Sequence, residues 1–410
     1  MIASTGNPTL SLAERDRRWA KVRAFMEAHG LAALVIPGLR GRESFEAWVS
    51  GESLEGAVVF PLDGEPVHLT WIAFRVVGRD DEGNDRDYWI RDLRSGLIGP
   101  GIASVLKELK VEGETVGVIG LESRGPLQLE GYVPQLVWRT VLDALPTTRF
   151  QEVSVPFSYV VAQKGEEELA LARVSAEAGE AACQALLETA RPGVSEAELY
   201  AAATSAVYRR GVTLTPPSLI VKSGRQYLSW GPPEWGVGAV NPRVLGPGEM
   251  VSTEIMPSYG GVETQQQMML ALSPVDPLWR ELESVALRSY EAGLEALKPG
   301  TTFLEVCDAM AAPLKQADCW HLSPLIHSVS PAYLLGTLHG DAERFFAEQY
   351  PWFHTLPAQT DAVLAEGMLF AFEPNACRGR TRVNVGGTVV VGASGPIELN
   401  SLPCRMHVIQ

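Results

Sequence analysis

Apolar residues in the first third of the chain switch repeatedly between helical and strand-like spacing. The segments are a helix at 14–29, a strand at 31–38, a hairpin at 56–71, a strand at 116–120 and a helix-like stretch through 137–142. Gly30 ends the first helix and Asp63-Gly64 supplies the hairpin turn, as such residues commonly do. This alternation predicts an α/β domain that ends near residue 158.

The pattern changes in the second part of the chain, where long helical periods surround short apolar runs. The predicted helices are 165–190, 195–210, 277–297 and 302–316, and the predicted strands are 250–256, 263–272, 368–373 and 381–391. The segment 151–163 between the two parts is interpreted as a linker. Helix pairs backing an antiparallel sheet are therefore expected here, so that the chain as a whole is α+β.

One helix-break-helix module occurs twice in this second part. The two copies are Arg191-Pro192-Gly193 with Ser195 and Glu198, and Lys298-Pro299-Gly300 with Thr302 and Glu305. A hydroxyl residue followed three positions later by Glu is the signature of a helix capping box. The repetition predicts two similar halves with a cleft between them, although ordinary signals for helix ends and helix starts would also explain it.

Composition excludes several functional classes. A net charge of −15 and a pI near 5.0 argue against binding of nucleic acid or of an anionic membrane surface. No apolar run approaches the roughly 20 residues that span a bilayer. The N-terminus has no apolar signal-like run, and five scattered cysteines without a Cys-x-x-Cys pair indicate free thiols. We therefore expect a cytoplasmic protein.

Two motifs carry a resemblance to a known family. The segments Leu245–Val251 (LGPGEMV) and Gly367–Pro374 (GMLFAFEP) resemble those of the creatinase, prolidase, aminopeptidase P and methionine aminopeptidase group. The resemblance covers nearly the whole chain. It implies a creatinase-type N-terminal domain at 1–158, a pseudo-twofold pita-bread domain at 159–410, and a homodimer, which members of the group commonly form.

The resemblance also implies a ligand set from which this chain departs. Peptidases of the group hold two metal ions with two Asp, one His and two Glu. The corresponding positions here are Glu254, Gln265, His327, Glu373 and either Gly386 or Gly387, and a second family histidine falls on Leu334. Because a neutral amide and a glycine cannot bridge two divalent cations, we predict that the dinuclear site is lost and that no cofactor is needed. A single divalent ion on Glu254, His327 and Glu373 stays open as an alternative.

These positions give the candidate functional residues. The candidate catalytic residues are His327, Glu373 and Glu254, and the candidate substrate-binding residues are Gln265, Gln267, Trp230, Trp235 and Glu234. His327 is the leading candidate for an acid or base, since imidazole titrates near neutral pH. Carboxylates beside tryptophan faces suit a cation. The simpler interpretations are a structural histidine, an amide ladder for the glutamines and packing for the tryptophans.

The favoured function is that of a metal-independent, creatinase-like hydrolase. Its substrate would be a small molecule in which a C–N bond is cleaved. We favour a cationic or amidinium-bearing molecule. The loop that supplies a histidine in creatinase has Trp230 or Gly231 at the aligned place, so the mechanism of creatinase does not transfer intact. The alternatives are an Xaa-Pro aminopeptidase or dipeptidase with a remodelled metal site, and a non-catalytic binding or scaffold protein.

Overall fold

The computed structural model describes residues 6–39, 45–81, 87–121, 131–225, 231–322, 324–329 and 362–410. These residues fall into two compact units. The first consists of residues 9–162, and the second contains 163–329 and 362–410 together with residues 6–8. None of the helices in these ranges is long and apolar enough to cross a bilayer.

The first unit is built on a mixed six-stranded sheet in the order β4-β3-β2-β1-β5-β6. Its strands are β1 (Ala33–Pro37), β2 (Gly56–Pro61), β3 (Val67–Thr70), β4 (Asp92–Ser95), β5 (Thr115–Val118) and β6 (Arg149–Glu152). Its helices are α1 (Leu12–His29), α2 (Phe45–Ser50), α3 (Ala73–Asp81), α4 (Ile98–Glu108), α5 (Gln135–Ala144) and α6 (Ser154–Ala162). β2 and β3 form the predicted antiparallel hairpin, and β2 also pairs antiparallel with β1.

Both faces of this sheet are covered by apolar side chains. Leu34 and Ile36 of β1 belong to one buried cluster, whereas Ala33 and Val35 belong to another. Because successive strand residues point to opposite faces, a strand covered on both sides must be apolar throughout. This explains why the segment 31–38 is a continuous apolar run rather than an alternating one.

The interpretation of 151–163 as a linker was wrong. Residues 149–152 form β6, which pairs in parallel with β5, and residues 154–162 form α6. Val153, Phe157 and Val161 recur at four-residue intervals and are fully buried. That helical spacing of apolar residues was the signal that should have identified α6.

The second unit combines four long helices with antiparallel sheets. Its helices are α7 (Glu166–Thr189), α8 (Glu196–Tyr208), α9 (Glu234–Val237), α10 (Pro277–Ala296) and α11 (Phe303–Gln316). Its strands are β7 (Thr213–Gly224), β8 (Met250–Tyr259), β9 (Val262–Glu263), β10 (Gln266–Leu272), β11 (Ile326–Ser328), β12 (Leu369–Phe372), β13 (Asn375–Arg378), β14 (Thr381–Asn384), β15 (Gly387–Gly392), β16 (Gly395–Glu398) and β17 (His407–Ile409).

The strands of this unit form two main sheets, one in each half. The orders are β17-β10-β8-β7, with β9 beside β8, and β11-β12-β15-β16, while β13 and β14 form a separate hairpin. The pairs are antiparallel except for β17, which runs parallel to β10. An isolated bridge between Gln267 and Gly386 links the two main sheets. The predicted single strand at 381–391 is in fact two strands, β14 and β15, which separate just before this bridge.

Both copies of the helix-break-helix module form the predicted capping boxes. Ser195 and Thr302 each accept a hydrogen bond from the backbone N–H of the Glu three residues later. Glu198 and Glu305 accept in return from the N–H of their cap residues, at 2.9 and 2.7 Å. The two helix pairs, α7 with α8 and α10 with α11, therefore begin their second helices in the same way.

Candidate functional site

Strand pairing brings Glu254 and Gln267 side by side. Glu254 of β8 lies directly opposite Gln267 of β10, and Ile220 of β7 lies opposite Glu254 on its other side. Directly opposed residues in an antiparallel pair point to the same face of a sheet. Gln267 also forms the bridge to Gly386, so this face of the first sheet lies at the junction with the second.

The second sheet contributes His327 and Glu373 to the same place. His327 lies in β11, and Glu373 directly follows β12 and donates its backbone N–H to the carbonyl of Leu325 at 2.8 Å. The Nε2 of Gln267 donates to Oε1 of Glu373 at 2.6 Å, and Nε2 of His327 lies 3.3 Å from the same oxygen. All three side chains are buried. A carboxylate, an imidazole and an amide from both halves therefore meet at one oxygen atom.

Gln265 extends this network away from Glu373. Its Oε1 lies 3.3 Å from Nε2 of Gln267, and its own Nε2 donates to Oε1 of Glu263 at 2.6 Å. The backbone N–H of Gln265 donates to the hydroxyl of Thr388 at 2.7 Å. The two glutamines thus form a short amide relay between two buried carboxylates, and sequence reasoning missed Glu263 at its far end.

The hydrogen bonds of His327 define its protonation. Nδ1 lies 2.6 Å from the carbonyl oxygen of Ser328, which can only accept, so Nδ1 carries a hydrogen. Burial by itself lowers the pKa of His327, but the charge and hydrogen bond of Glu373, the hydrogen bond to Ser328 and the charge of Glu263 together raise that pKa above its ordinary value. The raised pKa favours the charged form of the imidazole, in which Nε2 also carries a proton and faces Glu373.

Glu254 has a cationic partner that sequence reasoning also missed. Nη2 of Arg382 in β14 lies 3.5 Å from Oε1 of Glu254, and both side chains are buried. A single arginine in a strand of four residues gives little signal by itself. Its alternation with Asn384 was the available clue, because polar residues at two-residue spacing mark one face of a strand.

The predicted loop residues make contacts of their own. Glu234 opens the short helix α9, and its Oε1 lies 3.4 Å from Nζ of Lys222, a buried lysine of β7. The Trp235 ring packs edge-to-face on Tyr200 with centroids 5.8 Å apart, which agrees with a packing role. Trp230 lies outside the described residues.

Comparison with known proteins identifies the family. The model of metallopeptidase family M24 matches residues 170–393, which is more than half of the chain. The chain belongs to metallopeptidase family M24. Creatinase from Bacillus sp. (strain B-0618) is 24% identical over 306 residues, which cover 73% of this chain and 70% of that protein.

Solved structures show that this M24 protein has the pita-bread fold. The X-Pro aminopeptidase of Thermotoga maritima MSB8 superimposes with a TM-score of 0.74 at 16% identity, over 95% of this chain and 99% of that one. Dipeptidase PepE of Mycobacterium ulcerans gives a TM-score of 0.71 at 20% identity, over 98% and 99%. At such low identity these likenesses show the fold and leave the chemistry to the residues of this chain.

The residues of this M24 protein do not fit the dinuclear centre that the family name implies. A Cβ atom at Gly386 would lie 1.9 Å from the carbonyl oxygen of Phe372, and one at Gly387 would lie 2.4 Å from Oδ1 of Asn400. No ligand side chain can therefore stand at either position without moving its surroundings. Within the described ranges, no three His, Cys, Asp or Glu side chains are grouped so that they could hold a metal ion.

Proposed function

We propose that this protein hydrolyses a C–N bond in a small molecule without a metal ion, with His327 and Glu373 at the centre of the reaction. The observation that carries the proposal is the hydrogen bond from Nε2 of Gln267 to Oε1 of Glu373. That oxygen would have to bind a cation in a metallopeptidase. Here it accepts from an amide and faces Nε2 of an imidazole whose pKa is raised, which is an arrangement suited to proton transfer.

The charges of the site favour a cationic or amidinium-bearing substrate. The guanidinium of Arg382 offsets Glu254, whereas Glu263 and Glu373 have the imidazole of His327 and the two amides of the relay as neighbours. A buried carboxylate is stabilised by an organic cation that offsets its charge and also donates N–H groups to its oxygens. An amidinium would also match the planar geometry of a carboxylate.

The proton balance of the reaction can be assigned to these side chains. When water attacks the carbon, a new C–O bond forms, the C–N bond breaks and the leaving nitrogen needs a proton. In the charged imidazole, Nε2 of His327 carries a proton that faces Glu373 and can supply it as a general acid. A carboxylate, Glu254 or Glu373, would take the proton that the water loses.

A turnover screen tests the proposal. The purified protein is incubated in a chelator-treated buffer with guanidino, amidino and amino compounds, and released amine or ammonia is measured. We expect turnover that persists with chelator and is abolished in His327→Ala, whose fold is checked by circular dichroism. An unchanged rate in His327→Ala would remove His327 from the mechanism.

The same screen separates the alternatives. Hydrolysis of Xaa-Pro peptides that requires added Mn²⁺ or Co²⁺ would establish a peptidase with a remodelled metal site. Ligands that raise the melting temperature but are never turned over would indicate a binding protein instead.

A further inference from the structure

Four buried polar atoms of Arg382, Gln267 and Asn384 have no hydrogen-bond partner among the described residues. They are Nε of Arg382, Oε1 of Gln267, and both Nδ2 and Oδ1 of Asn384, all unpartnered within the part of the chain that the structure describes. Asn384 is only 1% exposed, Gln267 4% and Arg382 9%. Buried polar groups are nearly always paired, so four such atoms without a partner among the described residues call for an explanation.

Strand register puts these atoms together. Arg382, Asn384 and Gly386 follow one another at two-residue spacing along the chain. Arg382 contacts Glu254 and Gly386 bridges to Gln267, while Glu254 and Gln267 are themselves directly opposed. Asn384 therefore lies between two positions that are each anchored to the candidate site.

The unpartnered atoms form a balanced set of donors and acceptors. Nε2 of Gln267 is committed to Glu373 and Gln265, which fixes the amide orientation and leaves Oε1 as an acceptor. Nε of Arg382 is a donor, and the amide of Asn384 supplies one donor and one acceptor whichever way it is turned. A carboxylate would satisfy only the donors, and a cation would satisfy only the acceptors. A neutral planar group with a carbonyl oxygen and N–H satisfies both.

We infer that Arg382, Asn384 and Gln267 form a subsite for a neutral carboxamide or ureido group of the ligand. The Arg382–Glu254 pair makes this part of the site nearly neutral, which agrees with a neutral group. The prolyl amide of an Xaa-Pro peptide does not match, because it has no N–H. The assignment of this group to the substrate rests on the proposed function. The prediction that the subsite binds such a group does not.

Access to the subsite requires a side chain to move. The four atoms are shielded from solvent, so a ligand can reach them only if Asn384 or a neighbour rotates. Rotation of the Asn384 side chain sacrifices no hydrogen bond among the described residues, and its energetic cost is therefore small. The side chain would gain its hydrogen bonds only when the ligand is present.

Asn375 offers a matched comparison because it lies directly opposite Asn384 in the β13–β14 hairpin. Its Oδ1 accepts from the backbone N–H of Leu322 at 2.8 Å, and its Nδ2 donates to the carbonyls of Leu322 and Glu373 at 3.1 and 3.0 Å. Asn375→Leu should therefore lower the melting temperature. Asn384→Leu should leave it unchanged or raise it, since an unsatisfied amide is replaced by an apolar side chain of similar size.

The test uses acetamide, acetamidinium and acetate, three probes of the same shape that differ in charge and hydrogen bonding. Binding to the full-length protein is measured by saturation-transfer NMR titration. We expect acetamide to bind the wild type, its affinity to fall by about tenfold or more in Asn384→Leu, and neither charged probe to displace it. Arg382→Lys, which keeps a cation for Glu254 but lacks Nε–H, should weaken acetamide binding as well.

Any of three results would overturn the inference. They are an absence of acetamide binding, equal affinity in the wild type and Asn384→Leu, and displacement by acetate or acetamidinium as effective as by acetamide. A fall in melting temperature for Asn384→Leu as large as that for Asn375→Leu would contradict it too, because Asn384 would then be structurally bonded. None of these binding results depends on turnover, so the inference and the proposed hydrolase can fail separately.

Discussion

At the scale of single residues, His327 is defined by what surrounds its two nitrogens. Nδ1 donates to the Ser328 carbonyl, and Nε2 faces Glu373. This arrangement stabilises the imidazolium, and it is consistent with the raised pKa of His327. The unfolded chain lacks these partners, so the protonation of His327 is linked to the stability of the fold.

The linkage predicts a pH-dependent contribution of His327 to stability. Since its pKa is raised in the folded state, the contribution is fully present below the unfolded pKa of about 6.5 and is lost as pH rises through the folded pKa. The difference in unfolding free energy between wild type and His327→Gln should therefore be larger at about pH 6 than at about pH 9. Urea denaturation at the two pH values measures it. A gap that widens with increasing pH would contradict the assignment of the imidazolium.

Sequence reasoning predicted some of these residues and missed others for physical reasons. Glu373 and His327 were selected because they occupy family positions, and the structure places Nε2 of His327 next to Oε1 of Glu373. Arg382 and Glu263 were missed because nothing near them in sequence indicates their partners, which lie on other strands. The catalytic and substrate-binding roles of all four residues remain proposals.

At the scale of elements, the two capping boxes show how short sequence signals fix helix starts. Each hydroxyl satisfies a backbone N–H that has no partner within the helix, and each glutamate satisfies the N–H of the cap residue. The capping boxes of α8 and α11 could be predicted from sequence because all their contacts lie within four residues.

Removal of a cap hydroxyl should destabilise the protein by a small, defined amount. Ser195→Ala and Thr302→Ala should each lower the unfolding free energy by about 1 kcal/mol, because one N–H loses its acceptor. Ser205→Ala, at an exposed position inside α8, is the control and should be neutral or slightly stabilising. Chemical denaturation compares the three. Equal effects of all three substitutions would mean that the caps contribute nothing.

Some elements were not predictable from local patterns. The strand β7 is interrupted by a register shift between Leu214 and Leu219, and two prolines lie within it, so its alternation is broken. The division of residues 381–391 into β14 and β15 depends on Gly386, whose close approach to Phe372 is a tertiary contact. Periodicity reports which face is buried, but it does not report where a strand changes partners.

Gly386 should be intolerant of any side chain. Gly386→Ala places a Cβ atom against the backbone oxygen of Phe372, which cannot move aside as a side chain can. We expect a loss of roughly 3 kcal/mol in unfolding free energy. Gly236→Ala serves as the control, because a Cβ there meets nothing within 4 Å. Comparable stability of the two variants would show that the junction of the sheets is looser than described.

At the scale of the whole molecule, the candidate site combines elements that are distant in sequence. β8 and β10 of the first sheet supply Glu254 and Gln267, β11 and the end of β12 supply His327 and Glu373, and β14 supplies Arg382. The duplicated helix pairs place these strands in two halves, as the sequence predicted. At the junction of the two sheets the structure places amide side chains and a glycine, and our proposal is that these take the places of metal-binding carboxylates.

Gln267 provides the sharpest test of that charge balance. Gln267→Glu would put a second carboxylate beside Oε1 of Glu373, where the amide now donates at 2.6 Å. Two buried carboxylates at this distance repel each other, so the unfolding free energy should fall by about 2–4 kcal/mol at neutral pH. Added Mn²⁺ should restore part of that loss, since a divalent cation would offset both charges.

The controls separate a created metal site from a pre-existing one. Gln267→Met also loses the hydrogen bond but adds no charge, so its melting temperature should not respond to Mn²⁺. The wild type should melt at the same temperature in Mn²⁺ and in chelator, because its carboxylates already have hydrogen-bond or guanidinium partners. Stabilisation of the wild type by Mn²⁺ that equals or exceeds that of Gln267→Glu would mean that the native site holds a cation, and the metal-independent mechanism would have to be abandoned.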